Sequence, residues 1–326
     1  MRTPNFFLVG AAKAGTSSMQ RHLAAHPQIF MCEPKEPEFF SQSARDRTIR
    51  YTESTYEYPK DLPQYLRLFR DAGDALIVGD ASTGYSQRPR LASAAERIFD
   101  FNPDSRILYL VRDPVERAIS HYWTAVRWAG ERRDMQAALL EDDYYRVVSD
   151  YALQIEPYLR LFGPQRVKIL TLEALERAPL PAIRSVYSWL GVDADFTPGG
   201  DEVLNRTPAT ICVPRGPRAV HRLRHSRAWN RLSPFVPAAA RSAARRLTEV
   251  ELQTCDVPLT VVDALRDALA EPVLRFESLI GRRVSEWTTC HAAADTTPSP
   301  TPSHARAAWG TSVSRWKRVS APSAGV

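Results

Sequence analysis

Apolar runs alternate with amphipathic stretches over the first 175 or so residues of the chain. Four runs have the length and composition of buried strands, and they cover residues 5–10, 75–80, 106–112 and 166–172. Apolar side chains recur with helical spacing in residues 16–25, 62–72, 90–99, 114–128 and 151–162. Strands that alternate with helices need crossover connections, which join parallel strands. The pattern predicts an α/β fold in three layers, with a central, mostly parallel sheet flanked by helices.

The second half of the chain has a weaker pattern. Residues 196–225 are rich in proline, glycine and arginine and predict a long loop, and helical spacing returns over residues 228–252 and 259–280. From Cys290 onward serine, threonine, proline and alanine dominate, a composition that cannot bury a core. We predict one domain over residues 1–289 and a disordered C-terminal tail over residues 290–326.

Composition and charge say little about the fold but indicate what kind of ligand the protein binds. The chain has 326 residues and a net charge of +6, and only five of its 43 basic residues are lysines. Arginine binds planar anions, so an acidic ligand fits, although a GC-rich genome also produces an arginine excess. No run approaches the roughly 20 apolar residues of a membrane span, and the four cysteines form no C-x-x-C pair. The sequence predicts a cytoplasmic protein with no membrane span, metal site or disulfide framework.

The stretch GAAKAGTSS, residues 10–18, joins the first predicted strand to the first predicted helix. Gly10 and Gly15 have the spacing of a nucleoside-triphosphate loop, but Thr16 occupies the position of its lysine, and Lys13 lies three residues earlier. Backbone amides at the start of a helix still favour a phosphate-like anion. The alternative is a plain strand-to-helix turn capped by Thr16. The predicted contacts of the loop are Lys13, Ala14, Gly15, Thr16, Ser17 and Ser18.

A lysine that precedes G-T-S-S resembles the 5′-phosphosulfate loop of sulfotransferases that use 3′-phosphoadenosine 5′-phosphosulfate (PAPS). The resemblance is to the branch of the heparan sulfate sulfotransferases and their bacterial relatives, and it implies a P-loop-like fold. A transferring sulfuryl group carries less negative charge than a phosphoryl group, so lysine and amides can suffice without a metal.

A second motif begins where the third predicted strand ends. Asp113 can cap a helix, Pro114 suits its first position, and Glu116 completes a capping-box pattern, none of which requires a function. The stretch also matches R-D-P-x-x-R-x-x-S, the family's signature for the 3′-phosphate of the cofactor. The resemblance implies that Arg112 and Ser120 bind that phosphate. Similar stretches span most of residues 5–287.

The catalytic base is predicted in EPKEPEFF, residues 33–40. In the heparan sulfate branch the matching stretch carries a catalytic glutamate, which falls on Glu36, and Lys13 would stabilise the leaving nucleotide. A solvated charged loop is the alternative. This sequence departs from the family at Glu38, where relatives often have histidine or glutamine, and at Ala81, where several have lysine. Rival roles remain for a few side chains: Asp80 as a magnesium ligand, and His22, His26 or His121 as the base.

A third cofactor contact is predicted in VPRGPR, residues 213–218, where Arg215 and Arg218 could close over the nucleotide; a surface turn is the alternative. The resemblance implies a small-molecule or glycan acceptor, a hydroxyl of a carbohydrate, glycolipid or natural product. Its pocket is expected in residues 36–60, 127–150 and 196–225, and we expect no nucleic-acid partner. Two other functions stay open, a kinase-like nucleotide enzyme and a non-enzymatic binder of acidic polymers through arginine-rich residues 218–232 and 241–247.

Overall fold

A five-stranded parallel sheet forms the central layer of the protein. The computed structural model describes residues 2–41, 58–91, 94–197, 210–214, 236, 249–253 and 257–291. The sheet order is β2-β3-β1-β4-β5, and every pairing is parallel. The strands are β1 (Phe6–Gly10), β2 (Ile29–Met31), β3 (Ile77–Ala81), β4 (Arg106–Val111) and β5 (Val167–Thr171). The predicted α/β, P-loop-like fold is confirmed.

Helices follow the strands and flank the sheet. They are α1 (Thr16–Ala25), α2 (Leu62–Arg67), α3 (Ala94–Phe101), α4 (Pro114–Thr124), α5 (Asp143–Ser149), α6 (Tyr151–Phe162), α7 (Leu172–Arg177), α8 (Pro179–Leu190), α9 (Leu259–Ile280) and α10 (Thr288–His291). A 3₁₀ turn spans Thr83–Ser86, and π-helical turns span Ala125–Ala129 and Ala137–Glu141. Among the described residues, no helix combines the length and apolar character needed to cross a membrane.

The core explains why the strands have almost continuous apolar runs. Phe6, Phe7, Leu8 and Val9 of β1 have no accessible surface, and the same holds for residues 107–111 of β4. A parallel sheet covered on both faces buries successive residues of each strand, unlike a sheet with one wet face. Each large apolar side chain buried in this way contributes about 1.5–3 kcal/mol.

Three elements differ from the sequence prediction. Edge strand β2 was not expected, because three residues are too few to show a period. Residues 249–253 form β7 (Glu249–Gln253), so the end of the helix predicted over 228–252 is wrong. This strand pairs antiparallel with β6 (Thr210–Pro214), which lies within the loop predicted over 196–225. Charged or polar and apolar residues alternate in β7, which is typical of a strand. The remainder of that predicted helix lies outside the described residues.

The C-terminal described segment returns to the sheet. Helix α9 ends at Gly281, which has a φ of 68°, and α10 follows after a short connection. The backbone amides of Thr289 and Cys290 donate to Asp113 at distances of 2.9 and 3.0 Å. Residues 292–326 lie outside the described residues, so the domain boundary at residue 289 stays a prediction.

Candidate active site at the carboxyl edge of the sheet

The glycine loop between β1 and α1 has a backbone that larger residues would strain. Gly15 has a φ of 85°, and a Cβ atom there would lie 2.7 Å from Leu172 Cδ1. Lys13 also adopts a left-handed conformation, with a φ of 74°. Gly15, and not Thr16, is the N-cap of α1, and within the described part of the chain no side chain caps this helix start. The alternative of a strand-to-helix turn capped by Thr16 is therefore wrong about the capping residue.

Lys13 lies among other cations. Burial lowers the pKa of its ammonium group, and the positive charges of Arg112 and Lys35 lower it further, while Glu36 opposes them. The two motifs, about a hundred residues apart in sequence, therefore converge on one site. A buried cation surrounded by cations is stabilised when an anion binds.

Lys35 connects the glycine loop to the predicted base, and the sequence analysis missed it. Its ammonium Nζ donates to Ser17 Oγ at 2.8 Å and lies 3.5 Å from Thr16 Oγ1. The same nitrogen is 3.2 Å from Glu36 Oε1. Lys35 directly precedes Glu36 in the sequence, and this position beside the predicted base could have identified it.

Glu36 lies beside the loop that follows β3. Its backbone amide donates to the carbonyl oxygen of Ala81 at 3.0 Å. Its carboxylate accepts a hydrogen bond from Thr83 Oγ1 at 3.3 Å, and the side chain is 35% exposed. The predicted base is therefore anchored by its neighbours and accessible to a ligand.

Asp80, at the end of β3, is bound by protein hydroxyl groups. Its carboxylate accepts from the hydroxyls of Tyr65, Tyr85 and Ser82 at 2.8, 2.7 and 2.7 Å. Burial raises its pKa to about 6, although the three hydrogen bonds oppose that shift. No group of His, Cys, Asp or Glu side chains suited to a metal ion occurs among the described residues. The contacts of Asp80 are those of a structural residue.

Arg112 lies at the end of β4 and is already partly paired. Its guanidinium donates to Glu116 Oε2 at 2.7 Å, and its side chain is 26% exposed. The hydroxyl of Tyr151 donates to the carbonyl oxygen of Arg112 at 2.7 Å and fixes the backbone at this point.

Asp113 forms the predicted cap, but the capping box closes differently. Its carboxylate accepts from the amides of Val115 and Glu116 at 3.0 and 3.3 Å. The reciprocal contact to the amide of Asp113 comes from Glu173, at 2.8 Å, and not from Glu116. Glu116 instead binds Arg112 and the hydroxyl of Thr289.

Two buried residues of α4 complete the second motif. Arg117 has no accessible surface; its guanidinium donates to Ser149 Oγ at 2.7 Å and to the carbonyl oxygen of Tyr145 at 2.6 Å, and lies 3.1 Å from His121 Nδ1. Burial lowers the pKa of His121 well below its usual range, and Arg117 lowers it further. Ser120 is buried on the same helix. His121 therefore packs against an arginine.

Other predicted residues lie apart from this site or are not described. His26 packs near α8, where its Nε2 lies 2.9 Å from the carbonyl oxygen of Asp193. Arg215 and Arg218 lie outside the described residues, as do residues 218–232 and 241–247 of the acidic-polymer alternative. Of the expected acceptor loops, 42–57 and most of 198–225 are likewise not described.

The described charges fit a ligand with several negative charges. Lys13, Lys35, Arg112 and Arg117 act on one another here, and Glu36 and Glu116 are the carboxylates that pair with them. Cations outnumber carboxylates among these described groups, and the start of α1 adds a positive dipole end. The excess of positive charge is spread over both motifs.

Comparisons with known proteins find sulfotransferases. A family model described as "Sulfotransferase family" matches residues 4–197, more than half of the chain. Membrane-associated sulfotransferase kil1 of Dictyostelium discoideum is 28% identical over 165 residues, which cover 51% of this chain and 31% of that protein. Heparan sulfate glucosamine 3-O-sulfotransferase 3A1 of Mus musculus is 26% identical over 203 residues, which cover 60% of this chain and 47% of that protein. The matches thus span less than half the length of these relatives.

Among solved structures, a sulfotransferase from Alicyclobacillus acidocaldarius is similar over most of the chain. It is 29% identical with a TM-score of 0.64, and the match covers 88% of this chain and 99% of that one. The match of the family model to more than half of the chain, together with this structural similarity, confirms the resemblance drawn from the two motifs. The chain belongs to the sulfotransferase family.

Proposed function

We propose that this protein transfers a sulfuryl group from PAPS to a hydroxyl group of a carbohydrate, glycolipid or natural product, without a metal. The supporting observation is the group of cations around the glycine loop, in which Lys13 of the first motif acts together with Lys35, beside Glu36, and with Arg112 of the second motif. A cytoplasmic location is part of the proposal.

The residues that would hold the donor lie on the two motifs. Lys13 and the backbone from Ala14 to Ser18 would bind the 5′-phosphosulfate, and Arg112 and Ser120 the 3′-phosphate. Arg215 and Arg218, which follow β6 in the sequence, would add further contacts. Bound PAPS supplies the sulfuryl group, whose sulfur forms a bond to the acceptor oxygen as its bond to the phosphate oxygen breaks.

The chain's own residues handle the proton and the developing charge. Glu36 would accept the proton of the acceptor hydroxyl, because its carboxylate is anchored and still accessible. Lys13 would donate a hydrogen bond to the phosphate oxygen on which negative charge builds up. Lys35 contacts both the loop hydroxyls and Glu36 and would keep the base beside the donor.

Calorimetry tests the donor. We expect 3′-phosphoadenosine 5′-phosphate to bind without metal. Arg112→Ala should weaken that binding about 100-fold, which is the affinity that charge-assisted hydrogen bonds typically contribute. Arg166→Ala is the matched control, because Arg166 pairs with Asp104 just before the start of β5, at the opposite edge of the sheet. A preference for ATP with magnesium would replace this proposal with the kinase-like one.

Turnover tests the base. The Glu36→Gln variant should bind 3′-phosphoadenosine 5′-phosphate as tightly as the wild type does. Its turnover should be lower by about 10²–10⁴-fold, the usual contribution of a general base. The assay is sulfate transfer from PAPS to a panel of glycans, glycolipids and phenols. Glu33→Gln changes an exposed glutamate of the same turn and should leave turnover unchanged. Equal turnover in Glu36→Gln and wild type would assign the base elsewhere.

A further inference from the structure

A second carboxyl group, that of Glu38, lies two residues after the proposed base. The backbone amide of Gly84 donates to Glu38 Oε1 at 2.9 Å, and the amide of Glu38 donates to Ser82 Oγ at 3.1 Å. A Cβ atom on Gly84 would lie only 2.1 Å from Glu38 Oε2. The carboxyl group is therefore held tightly against the turn that follows β3.

The two short contacts of Ser41 leave a place for a proton on this carboxyl group. Ser41 Oγ lies 2.7 Å from Glu38 Oε2 and 2.9 Å from the carbonyl oxygen of Glu38. A serine hydroxyl has one hydrogen atom, so it can donate to only one of these two acceptors. If it donates to the carbonyl oxygen, the hydrogen atom of the shorter contact comes from the carboxyl group. A neutral Glu38 thus satisfies every contact, including that from Gly84.

The charged groups around Glu38 favour the same state. Those that face it are Glu36 on its own turn, Asp80 at the end of β3, Tyr85 on the 3₁₀ turn and Tyr158 on α6. On the other side of the turn, the guanidinium of Arg97 donates to the carbonyl oxygen of Phe40. Burial raises the pKa of Glu38 to about 8, and the negative charge of Glu36 contributes to this increase.

We propose that Glu38 is a positioning residue that holds a proton at neutral pH, so that Glu36 carries the only negative charge of the pair. This inference rests on the proposed function, in which Glu36 is the base. Neutral Glu38 fixes the turn through Ser41 and Gly84, while Glu36 binds the adjacent Thr83. An ionised Glu38 would place a second negative charge beside Glu36 and would repel it.

Thermal unfolding as a function of pH tests the proton without any substrate. Glu38 would keep its proton to about pH 8 in the folded protein, while the unfolded chain loses it near the ordinary value of 4.5. The folded state therefore binds more protons in this window, and the wild type loses stability as the pH rises through it. Glu38→Gln does not titrate, so its Tm relative to the wild type should rise between about pH 5 and about pH 8.5. Glu33→Gln, which changes an exposed glutamate of the same turn, is the matched control.

Turnover as a function of pH tests positioning. Glutamine imitates the neutral acid, since its oxygen can accept from Gly84 and its amide can donate to Ser41. Glu38→Gln should keep wild-type turnover at neutral pH and lose the decline that the wild type shows above about pH 8, whereas Glu38→Ala should lose turnover at every pH. Equal losses in both variants would overturn the proposal, as would parallel Tm curves.

One outcome separates this inference from the proposed function. If the Tm curves diverge but PAPS supports no transfer, the protonated Glu38 stands and the sulfotransferase proposal fails. If Glu38→Gln does not fold, infrared spectroscopy of Glu173→Gln, which removes the other carboxyl group that titrates near neutral pH, replaces it: the carbonyl stretch of a protonated carboxyl group should vanish between about pH 6.5 and about pH 9.5. A spectrum without such a change would contradict the proposal.

Discussion

The two motifs that meet at the carboxyl edge of the sheet satisfy their charges in different ways. In the glycine loop, Lys13 is buried among cations and Lys35 pairs with Glu36. In the second motif, Arg112 has a carboxylate partner, Asp113 accepts from four backbone amides, and Arg117 donates to Ser149 and to the Tyr145 carbonyl.

Arg112 and Ser120 aside, which the proposed function assigns to the donor, this difference separates a binding role beside the glycine loop from a structural role in the second motif. A buried cation that has mainly cations as neighbours destabilises the free protein and is stabilised by a bound anion, so its removal should affect activity more than stability. A network that is already satisfied should do the reverse when a member is removed. The predictions below test this distinction.

The largest effect should come from Lys13→Met. Removing the cation at the leaving oxygen should lower turnover by about 10³-fold. Its Tm should stay the same or rise, because the change also removes repulsion with Arg112 and Lys35. Lys168→Met is the control: burial lowers the pKa of Lys168 too, but that lysine lies within β5 and should be dispensable for turnover. A large fall in the Tm of Lys13→Met would break the comparison.

Arg117→Met should cost stability, by about 3 kcal/mol in urea denaturation, because it leaves buried hydrogen-bond partners unsatisfied. The acceptors concerned are Ser149 Oγ and the carbonyl oxygen of Tyr145. Arg133 has exposed ion pairs with Glu131 and Asp142, so Arg133→Met should cost at most about 1 kcal/mol. If Arg117→Met were more stable than the wild type, the desolvation of the guanidinium would outweigh its hydrogen bonds.

Asp113→Ala should cost about 2 kcal/mol, more than the loss of an ordinary helix cap. The excess comes from the amides of Thr289 and Cys290, which bind the second carboxylate oxygen. Asp61→Ala is the reference, because Asp61 caps α2 through Gln64 alone and is exposed, and it should cost about 1 kcal/mol. Hydrogen exchange at residues 289 and 290 should accelerate only in Asp113→Ala; equal costs in both variants would mean that α10 contributes no stability.

The sequence predicted what is local and missed what depends on tertiary contact. The apolar runs of β1, β4 and β5, the cap at Asp113 and the two family motifs all show in consecutive residues. The contact of Lys35 with Ser17 and that of Glu173 with the amide of Asp113 join residues 18 and 60 positions apart. No periodicity or motif reveals such pairs. The site residues themselves, including Glu36 and Ser120, stay predictions until the variants are measured.

The smallest effect should come from Glu173→Gln, and it concerns pH. Burial raises the pKa of Glu173 to about 7, and Glu173 Oε2 lacks a hydrogen-bond partner among the described residues. The unfolded chain releases this proton near 4.5, so the folded wild type binds more protons between 4.5 and 7 and loses stability as the pH rises through that window. Glutamine does not titrate but can still accept from the amide of Asp113, so the stability of the variant relative to the wild type should improve by about 1 kcal/mol across it, after allowance for solvent screening. Denaturation at about pH 4.5 and about pH 7.5 measures the change. A difference that does not vary with pH would mean that Glu173 is not a strained carboxyl group beside the second motif, and the contrast with Glu38 beside the glycine loop would become sharper.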